Sequence, residues 1–419
     1  MLYAIFKVLM RNAFKSYFRR ISIQGAENIP ISGPVMLLCN HPSSFTEPML
    51  LACFQHRILN FLVRGDIFEN RLLKPLLELT HQIPIYRARD GFENLRKNKG
   101  TFERVYQKLS ERECVLIFPE STTQLVRFLR PLQKGAAHMC IASVREYNLT
   151  EMVVVPCGVN FTNVLKAGSD VSINIGKAIK IKEWIEAQGE GTDLPSRLTE
   201  HFSQAMDKVV FSIPTHLSPS FCDQLSYVAI NPDQPLEQRR EEHRCIIDAM
   251  NEKRDELEAA FTSYAMPHSK VELNEVIVTQ SISKRFLTFF TLLFCMIAGS
   301  LAAVFYSIPL YLSRSIAFHT VKNEFKTPIR IVLAILMILL FNVIAWIILW
   351  IKSGFIISTL ILTGLWLSFR LYLFFYFRRQ LLSPALILTG SSGIENLQNQ
   401  RLSLKTLINR LKDSTLQRH

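Results

Sequence analysis

The sequence predicts an α/β core with an amphipathic helix before it and an α-helical membrane region after it, on three observations. Short apolar runs such as Val35-Met36-Leu37-Leu38, Val115-Leu116-Ile117-Phe118 and Val153-Val154-Val155 alternate with helical stretches between residue 21 and about residue 185, the pattern of strands covered by helices. Near the end, Phe286 to Ser313, Ile331 to Ile351, and Ser353 to Phe369 continuing past Arg370 to Phe377 each reach the roughly 20 apolar residues that cross a bilayer as a helix. At the start, Lys7, Arg11, Lys15 and Arg19 recur every four residues, with Ile5, Phe6, Leu9, Met10, Ala13, Phe14, Tyr17 and Phe18 between them. That spacing predicts a helix lying in a lipid interface, with a helix docked on the core as the alternative.

The elements follow in order. Residues 1–20 form the interfacial helix, which lacks the cleavage-site pattern and long apolar centre of a signal peptide. Residues 21–215 form the α/β domain: Gly91 to Ser110 reads as helix, Ser172-Ile173-Asn174-Ile175-Gly176 as the last strand and turn, and Leu194 to Ile213 as helix again. Residues 216–284 are a helical connector, with a charge-rich helix from Pro232 to Pro267 whose apolar positions are Ile246, Ile247, Met250, Leu257, Ala260 and Phe261. Residues 285–378 are the membrane region and residues 379–419 a basic tail carrying Arg401, Lys405, Arg410, Lys412 and Arg418. With the catalytic domain cytosolic, three simple crossings would place both the basic loop of Arg314, Lys322, Lys326 and Arg330 and the basic tail on the far side of the membrane, against the positive-inside tendency. A re-entrant hairpin over residues 286–313, broken near Gly299-Ser300 and Pro309, with a transmembrane pair turning at Lys352-Ser353-Gly354, removes that conflict.

Composition narrows the function classes. With 48 Lys and Arg against 35 Asp and Glu, the formal charge is +13, but no zinc spacing, recognition-helix pattern or aromatic RNA-binding block accompanies it. Anionic lipid and phosphorylated substrates account for the charge; nucleic acid does not. The eight cysteines contain no Cys-x2-Cys pair, so neither a metal site nor a disulfide framework follows, and a reducing, cytosolic face is implied. No Gly-x-Ser-x-Gly elbow marks a serine hydrolase.

His41 carries the chemistry. It stands in Cys39-Asn40-His41-Pro42-Ser43-Ser44-Phe45-Thr46-Glu47-Pro48, just after an apolar run, so an imidazole and a carboxylate emerge together at the end of a buried strand. Histidine titrates near neutrality and takes a proton from a hydroxyl, while an acid holds its other ring nitrogen. Cys39 beside it reads as strand filling, not as a nucleophile. Three signals follow in order: Ile83-Pro84-Ile85-Tyr86-Arg87; Val115-Leu116-Ile117-Phe118-Pro119-Glu120-Ser121-Thr122; and Val153-Val154-Val155-Pro156-Cys157-Gly158.

These four blocks, with Leu129-Arg130-Pro131-Leu132-Gln133-Lys134-Gly135-Ala136-Ala137, resemble the glycerolipid acyltransferase superfamily, the glycerol-3-phosphate and 1-acylglycerol-3-phosphate acyltransferases, over roughly residues 20 to 185. The resemblance implies a mixed sheet flanked by helices and a membrane-bound enzyme that moves a fatty acyl group from a thioester to a hydroxyl. By that likeness His41 is the general base and Glu47 the acid that orients it. Asn40, Ser43, Arg87, Glu120, Ser121, Thr122, Arg130 and Lys134 then line the acceptor side, and Pro156 and Gly158 shape the backbone near the acyl donor. The implied partners are acyl-CoA or acyl-carrier protein, a phosphorylated glycerolipid acceptor and membrane lipids. No organic cofactor or metal is implied, and the catalytic domain is expected on the cytoplasmic face. Arg87 stays open between a phosphate clamp and a surface ion pair near Arg89 and Asp90, as do Arg130 and Lys134 between phosphate ligands and ordinary helix-start charges.

Two positions depart from the family pattern. The acid that usually lies five residues after the histidine is replaced there by Thr46, with Glu47 one further on, a spacing found in one branch of the family. Ser121 stands where the family has glycine, and a left-handed backbone there would strain a serine. Glu47 and Ser121 leave a non-catalytic lipid-binding relative as an alternative; a second is acyl transfer to dihydroxyacetone phosphate or an aminoacyl lipid, distinguished by whether Arg87 faces the pocket.

Overall fold

In the computed structural model, the structure describes residues 2–69, 71, 74–86, 92–189, 193–230, 234–265, 282–378, 399, 402–404, 406–408 and 410. They divide into two compact units, one of residues 1–212 with 323–328 and one of residues 213–322 with 329–419.

The first unit is built on an eight-stranded sheet. Its strands are β1 (Arg20–Gln24), β2 (Val35–Cys39), β3 (Leu59–Arg64), β4 (Gln82–Ile85), β5 (Cys114–Ile117), β6 (Val153–Phe161), β7 (Asp170–Ile175) and β8 (Ile179–Lys180). The order is β1-β7-β6-β2-β5-β3-β4, with β8 on β6. β6, β2, β5, β3 and β4 run parallel, whereas β7 and β8 pair antiparallel to β6 and β1 follows β7 in parallel, so the sheet is mixed. Every residue of β2 and β5 is buried, as befits central strands covered on both faces.

Helices α1 (Leu2–Tyr17), α2 (Thr46–Phe54), α3 (Lys74–Leu79), α4 (Phe92–Ser110), α5 (Gly135–Arg145), α6 (Ile181–Gln188) and α7 (Leu194–Asp207) complete this unit. Alternation along β2 sends Met36 and Leu38 to one face, where they meet Val105 and Leu109 of α4, Ala137 and Cys140 of α5, and Leu198, Phe202 and Met206 of α7. The helix expected over Leu194 to Ile213 stops at Asp207. Residues beyond it instead supply the Val209 carbonyl, which accepts amide hydrogens from Asn160 and Asn174 at 3.0 Å each.

The amphipathic stripe of α1 is used differently from the interfacial expectation. Met10, Phe14 and Tyr17 are buried against the core, and Phe18 beyond the helix end stacks on Phe14 and contacts Phe161 of β6. Lys7 donates to the Gln55 carbonyl at 3.0 Å, Arg11 lies over Phe54, and Arg19 grips Asp170 through two hydrogen bonds of 2.9 Å. Much of the basic stripe therefore faces protein, because α2 and β7 offer it carbonyl, aromatic and carboxylate partners. Ile5, Phe6, Val8 and Leu9 remain exposed in the first half of the helix.

In the second unit, α8 (Pro219–Ala229), α9 (Leu236–Glu252) and α10 (Arg254–Ala265) share a small core of Cys222, Leu225, Ile246, Ile247, Met250, Leu257 and Phe261, joined by Leu404 and Ile408. The single charge-rich helix expected here is two, broken at Lys253, where φ is −136° and ψ 40°. Three longer helices follow, α11 (Ile282–Thr320), α12 (Asn323–Ser353) and α13 (Phe355–Arg378), each long and apolar enough to cross a membrane. Exposed apolar side chains such as Leu301, Ile351 and Ile356 cover them, the surface a lipid-facing helix presents. The turn expected at Lys352-Ser353-Gly354 is present, with Gly354 at φ +81°.

The expected re-entrant hairpin is not: α11 runs unbroken through Gly299 and Pro309. Gly299 serves contact instead, since a Cβ there would lie 2.7 Å from the Tyr372 backbone nitrogen and 2.8 Å from the Ser368 carbonyl oxygen of α13. Small residues let membrane helices approach this closely. Across the same helices Tyr306 donates to Asn342 at 3.0 Å and Trp346 to Thr359 at 3.1 Å.

Candidate active site

Because β2 and β5 are neighbours in parallel register, the segments that leave their carboxyl ends meet. His41 is the second residue after β2 and Phe118-Pro119-Glu120 follows β5. The imidazole stacks on Phe118 with ring centroids 4.0 Å apart and planes 19° apart. In open parallel sheets this crevice beyond the carboxyl ends of the strands is where ligands bind.

Glu47 reaches His41 from the first turn of α2. Its Oε2 lies 3.6 Å from Nδ1 of the imidazole, with the carboxylate fully buried and the histidine side chain 13% exposed. Its Oε1 accepts the backbone N–H of Ser43 in a short hydrogen bond. The helix N-terminus favours negative charge, but burial dominates and pushes the Glu47 carboxyl above its ordinary range, opposed by the nearby His41 imidazole and the Ser43 N–H. At 3.6 Å the pair stands just beyond hydrogen-bond length, and neither Nδ1 nor Oε2 has a hydrogen-bond partner among the described residues. Nδ1 thus faces the acid, which leaves Nε2 as the nitrogen available to a substrate proton. The extra residue between histidine and acid is absorbed by the turn at residues 43–46, where Ser44 takes φ +46° and the Ser43 and Thr46 hydroxyls lie 3.0 Å apart.

Several residues expected to line the acceptor side brace the site. Asn40 bonds both ways to the Val159 backbone, donating to its carbonyl at 3.1 Å and accepting its N–H at 2.8 Å, which continues the β2–β6 ladder beyond Cys39. Ser43 is buried and committed to the turn. Glu120 is buried too: it accepts the His41 backbone N–H at 3.3 Å, the Arg130 backbone N–H at 3.3 Å and the Arg130 Nε at 2.9 Å. Arg130 also donates to the Thr122 hydroxyl at 2.6 Å and to the Thr122 carbonyl. Glu120, Thr122 and Arg130 are therefore one ion-paired knot that fixes the loop after β5 to the histidine backbone.

Ser121 sits in that loop at φ +59°, the left-handed conformation that glycine adopts without strain. Lys134 is exposed at the start of α5. Arg87 lies outside the described residues; β4, two residues before it, ends at Ile85. Pro156 and Gly158 are within β6, paired with Leu38 of β2 and Asn174 of β7 respectively. A Cβ on Gly158 would overlap the Val209 carbonyl, so glycine here allows close approach of the segment after α7. Burial holds the Cys39 thiol well above its usual range, as a filler of the strand and not a nucleophile.

Sequence reasoning missed Phe118 as the surface under the imidazole, Thr46 as the brace of the turn, and the Gln124 backbone N–H that donates to the His41 carbonyl at 3.3 Å. Only Phe118 had a signal, its place in Phe-Pro-Glu. Among the described residues no cluster of His, Cys, Asp and Glu could hold a metal ion.

A family model described as Acyltransferase matches residues 20–160, the span that holds His41, Glu47, Glu120, Arg130, Pro156 and Gly158. The chain is similar to glycerol-3-phosphate O-acyltransferase 1 of Saccharomyces cerevisiae, 21% identical over 45% of this chain and 36% of the relative. It is also similar to glycerol-3-phosphate O-acyltransferase 2 of the same yeast, 31% identical over 20% of this chain and 11% of the relative. The matches thus span only 36% and 11% of the lengths of these two curated relatives. A solved structure of the 1-acyl-sn-glycerophosphate (LPA) acyltransferase PlsC from Thermotoga maritima aligns with a TM-score of 0.37 at 15% identity, over 49% of this chain and 76% of that one. Residues 20–160 of this chain are therefore similar in sequence to an acyltransferase domain.

Proposed function

We propose that the protein is a membrane-bound O-acyltransferase that moves a fatty acyl group from a thioester donor, acyl-CoA or acyl-carrier protein, to glycerol-3-phosphate or 1-acylglycerol-3-phosphate. The observation that carries this reading is His41 at the carboxyl end of β2 with its Nδ1 turned to buried Glu47 at 3.6 Å. Nε2 takes the proton of the acceptor hydroxyl as its oxygen attacks the thioester carbonyl, and Glu47 stabilises the imidazolium. Collapse of the tetrahedral intermediate breaks the carbon–sulfur bond, and the thiolate leaves with the proton from Nε2. The Glu120–Arg130 knot fixes the backbone that presents His41, and Arg87 is the guanidinium assigned to the acceptor phosphate. The membrane helices and the exposed apolar start of α1 suit a reaction whose product enters the bilayer, and the eight buried free thiols suit a reducing, cytoplasmic face.

The test is transfer by the full chain in lipid vesicles from each donor type to glycerol-3-phosphate and to 1-acylglycerol-3-phosphate, beside His41→Ala and Arg87→Ala. Transfer to one acceptor that falls by about 10³-fold or more in His41→Ala, with the acceptor KM raised in Arg87→Ala, is the expected result. Equal rates in wild type and His41→Ala would overturn it.

A further inference from the structure

The first turn of α12, residues 323–328, belongs to the same compact unit as residues 1–212, although α12 is one of the three membrane-length helices. Contacts with the α/β core hold it there. The Phe325 ring lies 6.2 Å from the Phe45 ring at an interplanar angle of 56°. Thr327, 1% exposed, donates its hydroxyl to the Val164 carbonyl at 2.8 Å. The same carbonyl accepts the Tyr17 hydroxyl at 3.0 Å, so one oxygen ties together the end of α1, the segment after β6 and the first turn of α12.

Phe45 is the residue immediately before α2, in the turn that joins His41 to Glu47. That turn is closed internally by the Ser43–Thr46 hydroxyl pair, the Thr46 N–H to the Ser43 carbonyl at 2.9 Å, and the Ser43 N–H to Glu47. Its other side chains at positions 43, 44, 46 and 47 are buried, and Phe45 is the half-buried one that meets Phe325. At 3.6 Å, the distance between Glu47 and His41 Nδ1 is a few tenths of an ångström from a hydrogen bond, so small displacements of the turn decide whether the imidazole is held.

We propose that the first turn of α12 is a positioning element for the catalytic pair: Phe325 on Phe45 and Thr327 on Val164 fix the turn so that Glu47 stays within reach of His41. The proposal rests on the acyl-transfer reading above. It makes a membrane helix part of the catalytic register, beyond its role as an anchor. Misplacement of a reacting group by about 1 Å lowers rates by up to about 100-fold, so a looser turn acts on kcat while leaving substrate binding in place.

The test uses the full chain in vesicles with the acceptor on which the wild type is active, and compares Phe325→Ala, Phe325→Leu, Thr327→Val and Thr327→Ser, each also in a Glu47→Gln background. Expected are a fall in kcat of about tenfold for Phe325→Ala and Thr327→Val with donor and acceptor KM within about twofold, and recovery in the Leu and Ser variants. In the Glu47→Gln background the same substitutions are expected to have no further effect, because the contact they protect is already gone. Unchanged kcat, an equal fall in both backgrounds, or a loss explained by less folded protein would overturn the proposal and leave the acyl-transfer reading standing. A wild type that transfers to neither acceptor overturns that reading, and this proposal with it.

Discussion

At the residue scale, function and stability pull in opposite directions at Glu47. Its burial raises the carboxyl above its ordinary range, so the folded state holds the proton more tightly than the unfolded one. An acid shifted this way favours the fold fully below its unfolded value, and that contribution is lost as pH rises through the raised folded value. Glu47→Gln is therefore expected to raise the thermal midpoint at pH values above that window while leaving it unchanged in strong acid. The amide keeps an acceptor for the Ser43 N–H but offers an N–H toward Nδ1, which selects the wrong tautomer. Transfer is expected to fall by about 10²- to 10⁴-fold in the same protein. Thermal melts at several pH values beside single-turnover rates check both halves. Ser121 is the second such residue. At φ +59°, Ser121→Gly relieves left-handed strain and is expected to stabilise by about 1 kcal/mol, read from the denaturant midpoint at unchanged slope.

At the element scale, β6 carries the close approaches. It pairs with β2, β7 and β8, and Gly158 lets the segment after α7 lie against it. Gly158→Ala places a methyl into the Val209 carbonyl, whose oxygen also accepts from Asn160 and Asn174. Displacing that backbone is expected to cost about 2–3 kcal/mol, measured by denaturation, with Asn40 and hence the His41 backbone disturbed through Val159. The strands, α4 and the membrane helices were legible because each rests on a periodic apolar pattern. The end of α7 at Asp207 and the break at Lys253 were not. Helical periodicity continues past both points in the sequence, and what interrupts it is a tertiary contact in the first case and a local backbone turn in the second.

At the whole-molecule scale, the chain joins an α/β unit to three membrane-length helices through a helical connector. With spans of 35, 31 and 23 residues, the protein is expected to stay with the membrane through alkaline carbonate washing and to be released only by detergent. Release by carbonate would mean that the helices lie against protein and not in lipid. The basic stripe of α1 belongs to this scale as well. Its four-residue spacing was plain in the sequence, but whether a stripe faces headgroups or protein depends on what lies opposite, and here Gln55, Phe54 and Asp170 do.

The sequence by itself determined the α/β class, the membrane-length helices, the histidine with an acid near it, and the resemblance carried by Asn40-His41, Phe118-Pro119-Glu120 and Pro156-x-Gly158. Those features are local: hydrophobic period, length and the order of side chains along one segment suffice to state them. Only the tertiary structure decided that Glu120 and Arg130 bond each other, that Asn40 and Ser43 are braces, that α11 is unbroken, and that Phe325 lies beside Phe45. Each of these depends on which distant segment fills the space beside a residue, and burial makes that partner obligatory without writing its position into the neighbouring sequence.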